Sequence, residues 1–556
     1  MKQRKHQPGR LKLKGAFLGM MLLIGCLSIG SAIWENTFAA TSSSPITKNG
    51  EGDNERIYME HADNMRFDTD KMNGAQRLSG NVILKHRGMT MYCDSAMLYE
   101  QSQTFDAFDN VRIVQGDTLS LTGDRLHYDG ETLIAEMRFN VVMTHREQTL
   151  HTDSLNYDRL YNVGYYFEGG RLIDGDNDLT SDWGEYHTDT RTAIFNYNVE
   201  LINPRFRLLT DTLNYDTNTK WAEVLGRSNI YSGNDRIYTE HGFYNSDTEE
   251  MQLFEKNKAF GRNRVMQGDT VFYDKNTGIL EAFHNVECLD TANKNILTGE
   301  YAIYNELTGE AMATIHALAR DYSSGPDTLY MHADTLKMFS YNLETDSAYR
   351  VMHGYFHARA YRTDLQAVAD SLIFTTKTRQ MTLYKDPIVW SDKQQIVGEE
   401  INIYLNDSTI DSAYVDRQAI MIEQLDSIHF NQVASNQMRS YYKNGELAEN
   451  QAIGNVMVVN YPLEKDSLIL YQNYVETSKA RMFLRDKKLQ KIWAPQSHGY
   501  FYPIGMAPSE RTELPGFAWF DYIRPTGPED VFIWRGKKKG TELKPSIRRE
   551  APLQKL

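Results

Sequence analysis

The segment Leu121-Thr122-Gly123-Asp124-Arg125-Leu126-His127-Tyr128 recurs further along the chain as Leu150-His151-Thr152-Asp153-Ser154-Leu155-Asn156-Tyr157. An acidic residue marks the same place in further copies, and the interval is the same at every step from Asp124 to Asp269. The members of this acid column are Asp63, Asp94, Asp124, Asp153, Asp182, Asp211, Glu240, Asp269, Glu300, Asp334, Asp370 and Glu400. A period of about 29 residues predicts about twelve copies of one unit, stacked in an elongated array.

Apolar residues keep fixed positions relative to the acid. Leu121 and Leu150 stand three residues before it, and Leu126 and Tyr128 stand two and four residues after it. Leu121 and Leu126 are five residues apart. Because five is an odd number, their side chains would point to opposite faces of a regular strand. A bulge or corner at the acid restores the face, and a preceding Gly or Thr is typical of such a place. We therefore predict bend acids, bonded to backbone N–H groups freed at the corner, at Asp124, Asp153, Asp182, Asp211 and Asp269.

The remainder of each unit predicts a second strand with its own bend. Gly80-Asn81-Val82, Asp109-Asn110-Val111 and Asn140-Val141 place an Asn before an apolar residue at the repeat period. Gly and Asn tolerate positive φ, so the chain can turn there from one sheet to another. The predicted fold is all-β, with two facing antiparallel sheets built from bent segments of about 11–13 residues.

A calcium ladder is the alternative interpretation of the acid column. Calcium sites gather several ligand oxygens around each ion, whereas this chain offers one column acid per repeat unit. The 15 His lack the paired spacing of a zinc site. The sequence contains no nucleophile elbow, phosphate loop or Cys-His signature. We therefore predict a protein that is not an enzyme and needs no metal and no cofactor.

The composition supports a core that is not held by disulfides. Apolar residues make up 41% of the chain, enough for a sizeable core, and 34 Tyr against 7 Trp favour strands. The three cysteines, Cys26, Cys93 and Cys288, provide no disulfide framework. Cys93 and Cys288 lie about seven units apart, too far to pair in a stacked array.

Residues 1–40 have the pattern of an export signal. Six Lys and Arg precede the uncharged run 15–34, and small residues follow at Thr37-Phe38-Ala39-Ala40-Thr41. Cleavage by signal peptidase, retention as a membrane anchor, and lipidation at Cys26 are three outcomes compatible with this pattern. In each case the body of the protein is exported.

Export also makes the body more acidic. Loss of residues 1–40 removes six positive groups and Glu35, so the formal net charge changes from −14 to about −19. Nucleic-acid binding needs Lys and Arg at the phosphates, so this charge excludes it. An anionic ligand must be held mainly by its apolar part.

The pieces Gly-Asn-Val, Gly-Asp-Thr-Leu and Asp-x-Leu-x-Tyr-Asp, found at 80–82, 116–119 and 124–129, resemble the OstA/LptA family of lipopolysaccharide-transport proteins. The resemblance covers residues 55–405 and continues more loosely to about residue 530. In that later part, Gly454-Asn455-Val456 and the segment 514–519 resemble the long OstA-like proteins of Bacteroidetes.

The resemblance implies a β-jellyroll, or taco, whose two sheets face each other across an open apolar groove. The groove of the family aligns acyl chains of lipopolysaccharide or lipooligosaccharide and bridges the inner and outer membranes. An inner-membrane transport complex, an outer-membrane translocon and head-to-tail copies are the implied partners, in the periplasm. The residues predicted to face the groove are Val82, Leu84, Val111, Ile113, Leu121, Leu126, Tyr128, Val141, Met143, Leu150, Leu155, Tyr157, Leu208, Leu213 and Tyr215.

The predicted organisation has five parts: an export segment (1–40), a linker (41–54), the regular array (55–405), a less regular β region (406–535) and a basic, disordered tail (536–556). The alternative to a conduit is an extracellular or cell-surface β-solenoid with a structural or adhesive role. Such a protein would have a closed, packed core and no lipid ligand.

Overall fold

Among the described residues, 18 of the 38 strands cross from one side of a folded sheet to the other, and the remaining strands form such crossings in pairs. The computed structural model describes residues 56–67, 74–261, 263–323, 327–342, 345, 347–406, 409–462, 468–486, 488–541 and 543. Chain contacts separate Met1–Glu55 from the unit Arg56–Leu556. The predicted export segment and linker, and residues 544–556 of the predicted tail, lie outside the described residues.

Within the described residues, 38 strands form one antiparallel sheet. Ten crossings are divided near the middle into two short strands, so the 38 strands amount to 28 crossings. The undivided crossings are β3 (Gln76–His86), β4 (Met89–Tyr99), β5 (Thr104–Gln115), β6 (Leu119–Asp129), β7 (Ile134–His145), β8 (Gln148–Asp158), β13 (Thr192–Asn203), β14 (Phe206–Asp216), β15 (Trp221–Ser232), β16 (Asp235–Asn245), β21 (Ile279–Asp290), β22 (Asn295–Asn305), β27 (Tyr349–Arg362), β28 (Leu365–Thr375), β33 (Ile410–Gln424), β34 (Phe430–Lys443), β35 (Glu446–Asn460) and β36 (Tyr471–Arg485).

The divided crossings each consist of two consecutive strands. They are β1 (Tyr58–His61) with β2 (Asn64–Phe67), β9 (Val163–Tyr166) with β10 (Gly170–Asp174), β11 (Asn177–Ser181) with β12 (Trp183–His187), β17 (Glu250–Glu255) with β18 (Asn257–Phe260), β19 (Arg264–Gly268) with β20 (Thr270–Asp274), β23 (Glu310–Thr314) with β24 (Leu318–Asp321), β25 (Leu329–His332) with β26 (Thr335–Tyr341), β29 (Gln380–Tyr384) with β30 (Ile388–Ser391), β31 (Gln394–Val397) with β32 (Glu400–Leu405), and β37 (Lys488–Trp493) with β38 (His498–Pro503).

Successive crossings pair in chain order, and the bend in each crossing folds the sheet into two walls. We call the half-sheet that contains the turn 116–118, between β5 and β6, the first wall. The half-sheet that contains the turn 130–133, between β6 and β7, is the second wall. The prediction of an all-β jellyroll, made of stacked units with two facing antiparallel sheets, is confirmed.

The bends are β-bulges at the predicted period. In β5 the pairing with β6 shifts between Phe108 and Val111, and the two residues in between have φ of 60° and 51°. In β6 the pairing with β7 shifts between Thr122 and Arg125, around the column acid. Leu121 and Leu126 are therefore both buried although five residues separate them. The extra residue of a bulge explains how an odd step keeps side chains on one face.

Hydrogen bonds between column acids and the bulge of a neighbouring crossing form a row along the fold, which we call the corner row. Asn140 donates from its side-chain amide to Asp124 over 2.7 Å, Asn198 to Asp182 over 2.6 Å, and Asn285 to Asp269 over 2.7 Å. Asp153 accepts from the backbone N–H of Asn140, and Asp211 from that of Arg227. At three of the five bend acids the side-chain amide is thus the observed partner, in place of the expected backbone N–H.

The last corner acid is displaced by one residue from the predicted column. The backbone N–H of Glu399 donates to the carbonyl of Arg417 over 3.2 Å, as that of Asp269 donates to His284 over 3.0 Å. Glu400 instead lies inside β32 and pairs with Asp416. Gly398 precedes Glu399, so the Gly–acid signal identifies the corner better than a constant spacing from Asp370 does.

In the described part of the chain the last strand ends at Pro503, and not near residue 535 as the sequence suggests. The following segment contains three 3-10 turns, Ser509–Arg511, Asp521–Ile523 and Glu529–Phe532. Its Leu514 and Phe520 pack on the outer face of the first wall, in clusters with residues such as Ile422 and Trp390. We call residues 509–535 the C-terminal strap. The strap covers the outer face of the first wall, which the alternation of inward and outward side chains along a strand would leave exposed.

Buried glutamines fasten this strap to the wall. Gln395 donates to the carbonyl of Ala518 over 2.8 Å and accepts from the N–H of Phe520 over 2.7 Å. Gln432 makes the same pair of contacts, with Thr512 and Leu514. A side-chain amide used in this way replaces a neighbouring strand, because it offers one donor and one acceptor to an extended backbone.

We expect substitution at a corner to loosen the fold locally. Asn140→Ala removes the bond to Asp124 and forces an Ala to φ near 51°, whereas Asn140→Gly removes only the bond. Local opening of β6–β8, measured by amide hydrogen exchange, should become easier by about 2 kcal/mol for the Ala variant and about 1 kcal/mol for the Gly variant. Equal effects of the two variants would contradict a strained corner.

Candidate functional site

The fifteen side chains predicted to face a lipid groove lie together in the space between the walls. None is more than 3% exposed. All belong to one connected apolar cluster, which extends from Ile57 to Met482. The walls meet at these positions and the interior there is a packed core. A hydrocarbon chain can contact these residues only if the walls separate.

The two rows of turns meet opposite the corner row, along a line that we call the seam. Tyrosines four residues after the acids reach it from the second wall. The hydroxyl of Tyr128 lies 2.8 Å from Nδ1 of His86, and that of Tyr186 lies 2.9 Å from Nδ1 of His145. The hydroxyl of Tyr304 accepts from Arg264 over 2.6 Å. The rings of Tyr128 and Tyr186 are part of the core, while their hydroxyls connect the walls.

A larger polar cluster, centred on Asp174, closes another part of the seam. The carboxylate of this residue accepts from the Tyr215 hydroxyl over 2.7 Å and from Lys220 over 2.6 Å. Asn177 donates to Tyr215 and to Ser246. Burial, reinforced by the Asp174 carboxylate, raises the pKa of Tyr215. The hydroxyl therefore stays protonated at neutral pH and donates to Asp174.

The packing between the walls loosens around β19–β28. Interior side chains such as Tyr273, Leu280 and Cys288 are only partly buried there. A cavity of about 40 Å³ lies at the seam, and we call it the opening. Its apolar lining includes Leu297, Ala319, Met331, Met338, Met352 and Phe374, and Arg320 and Arg350 also line it.

Ion pairs accompany the charged side chains of the opening. Arg350 pairs with the buried carboxylate of Asp290 across the seam, and Arg320 donates to Glu287 over 2.9 Å. Burial opposes ionisation of Asp290, yet hydrogen bonds from the Asn293 backbone and the charge of Arg350 lower its pKa. The guanidinium groups are therefore neutralised by neighbours.

Sequence reasoning placed the opening residues in the interior but did not single them out. Leu297 and Met331 stand three residues before column acids, and Met338 and Phe374 stand four residues after them. They occupy the same columns as the residues of the packed core. The intervals between acids, which grow here from 29 to 31, 34 and 36, are the signal that distinguishes this stretch.

Other classes of site receive no support from the described part of the chain. No group of three or more His, Cys, Asp and Glu side chains within it is arranged to hold a metal ion. Its helices include none with the length and apolar character to span a bilayer. Cys93 and Cys288 are both free, and burial raises the pKa of Cys93 to about 12.

The bent crossings and the continuous interior define a β-jellyroll repeat protein with an apolar core between two walls. The family described as OstA-like protein matches residues 54–211, a part that includes most of the predicted groove residues. This match, which covers less than a third of the chain, supports a protein of the OstA/LptA type. A search of curated proteins finds no significant match. The OstA-like domain and the long antiparallel sheet fit a bridge for lipid or lipopolysaccharide transport.

We expect the seam to weaken when a tyrosine hydroxyl is removed. Tyr215→Phe keeps the buried ring but removes the hydrogen bond that the Tyr215 hydroxyl donates to Asp174. Opening of β11 and β14, measured by amide hydrogen exchange, should become easier by about 1–3 kcal/mol, because the lost partner served a charged group. Tyr161→Phe, in an exposed turn, is the matched control. Indistinguishable exchange in the two variants would show that the hydroxyl does not hold the walls.

Proposed function

We propose that this protein is a non-enzymatic periplasmic conduit that binds acyl chains of lipopolysaccharide or lipooligosaccharide between its two walls. It would carry them between an inner-membrane transport complex and an outer-membrane translocon. The observation that carries the proposal is the single apolar interior, which connects Ile57 to Met482 along the array. The OstA-like match over residues 54–211 supports the same class of function.

The interior has the chemistry that a hydrocarbon chain requires. The side chains of Leu, Val and Met and the rings of Tyr face inward at successive crossings. The bend acids lie at the corner row, away from the centre of the interior. Each buried methylene contributes roughly 0.8 kcal/mol, so several methylenes can offset the wall contacts that a chain displaces. With a body charge of about −19, the acyl chains and not the phosphates supply the affinity.

Both ends of the sheet are suited to end-to-end pairing with proteins of the same architecture. Among the described strands, β1 and β2 pair on one side only, with β3, and β37 and β38 pair only with β36. Phe67 at one end is 58% exposed and Phe501 at the other is 62% exposed. Edge strands with free N–H and C=O groups accept a further strand. Membrane-anchored partners, or further copies of the chain, would extend the conduit there.

The number of crossings fits a bridging role. At ~4.8 Å between neighbouring strands, 28 crossings extend about 130 Å along the sheet. A sheet path of this order would let one molecule span much of the distance between two membranes.

A closed structural or adhesive β-solenoid is the second candidate. The observation in its favour is the near-complete burial of the predicted groove residues. The two candidates differ in whether the walls part to admit a ligand.

Photo-crosslinking in living cells separates the two candidates. A benzophenone side chain at Leu121, Val141 or Leu213 faces the interior, so a conduit should give lipopolysaccharide adducts at each position. The same group at His127, which is exposed on the outer side of β6, is the control and should give none. Absence of adducts at all three interior positions, in correctly exported protein, would favour the closed solenoid.

A further inference from the structure

We propose that hydrocarbon chains of the lipid enter the interior sideways through the opening, between β22, β24 and β25 of the first wall and β26–β28 of the second wall. This inference rests on the proposed conduit function and adds to it the place where a chain passes between the walls. The ligand class is the acyl chain of an amphiphile, whose head group remains outside.

Two of the longer chain connections at the seam lie beside the opening. The regular turns are short, such as 87–88 between β3 and β4 and 116–118 between β5 and β6. The connections 322–328 between β24 and β25, and 342–348 between β26 and β27, each contain seven residues. A tight turn fixes the register and spacing of the two crossings that it joins. The lengthened repeat intervals therefore fall where the walls pack least closely.

The lining of the opening can adapt to a flexible chain. Met331, Met338 and Met352 contribute thioether side chains from three strands of two neighbouring crossings. Unbranched Met side chains rearrange at low cost and suit apolar ligands of irregular shape. The cavity of about 40 Å³ holds only about three water molecules, so it is a starting point for separation of the walls and not a complete acyl site.

The charges at the rim select for the apolar part of the ligand. Arg350 and Arg320 are paired with Asp290 and Glu287, so neither presents an uncompensated charge to an anionic head group. The seam is fastened on both sides of the opening. Arg264 donates to Tyr304 on one side, and the backbone N–H of Ile410 donates to Asp364 over 3.1 Å on the other. The gap is therefore local, and further entry of a chain would separate the seam outward from it.

The test uses the purified, full-length protein, purified lipopolysaccharide, and benzophenone at either Met338 or Leu121. Met338 lines the opening, whereas Leu121 lies in the packed core. If chains enter at the opening, adducts at Met338 should appear several-fold sooner after mixing than adducts at Leu121. Equal rates at the two positions would overturn the inference while leaving the conduit function intact. Absence of adducts at both positions would overturn the conduit function itself.

A blocking variant tests the route independently. Ala319→Leu adds bulk to the lining of the opening and should slow adduct formation at Leu121 several-fold. Ala311→Leu is the control for added bulk, because Ala311 packs against the core but does not line the cavity. Met331→Phe is a second block, used if Ala319→Leu lowers thermal stability more than the control does. Unchanged labelling of Leu121 in folded variants of both kinds would show that chains enter elsewhere.

Discussion

The two walls and the apolar interior between them both result from the bulge at the middle of each crossing. In crossings such as β5, two residues with positive φ, Asp109 and Asn110, turn the strand. In crossings such as β6, the pairing shifts around the column acid and restores the side-chain face. Without this correction, Leu121 and Leu126 would point to opposite sides of the sheet. Repetition of the bulge in unit after unit folds a flat meander into two walls and encloses one apolar interior.

The two long sides of the folded sheet differ in how they are held. At the corner row the backbone itself passes from wall to wall, so this side cannot open without breaking strands. At the seam the walls are joined by side chains, such as Tyr215 with Asp174 and Arg264 with Tyr304. Each such bond contributes about 1–3 kcal/mol, and contacts in a repeat array are made mostly between neighbours. A local part of the seam can therefore open while the rest stays closed.

The C-terminal strap makes the later part of the first wall different from the earlier part. Trp390 and Ile388 are buried on the outer face by Phe520 and Ile523. Strands covered on both faces are expected to open less readily than strands with one solvated face. The strap also reaches strands of the opening, because the rings of His332 and Phe532 lie 5.0 Å apart and Arg524 donates to Gln366. A separation of the walls would therefore extend more easily toward the regular crossings at the N-terminal side.

The fold could be predicted from the sequence because the residues that indicate it lie close together in each unit and recur from unit to unit. The acid, the Asn and the apolar columns lie within one unit, so twelve weak copies predict corners and interior positions together. The seam could not be predicted in this way, because the partners His86 and Tyr128 belong to different units, 42 residues apart. Glu399 was missed because the column was extended by spacing instead of by the Gly–acid pair. The strap was missed because Gln395 and Gln432 look like ordinary strand residues until the extended segment lies against them.

The seam must part when an acyl chain is bound between the walls, and a distance measured across the seam detects this separation. Spin labels at Asp117 and Leu160 would lie on facing turns, beside the contact of Arg159 with Gln115. Pulsed electron resonance, with the native cysteines replaced, should show a longer distance after lipopolysaccharide is added. A pair at Asp117 and Glu147, both on the first wall, should keep its distance. An unchanged Asp117–Leu160 distance in protein whose interior is cross-linked to lipopolysaccharide would contradict the account.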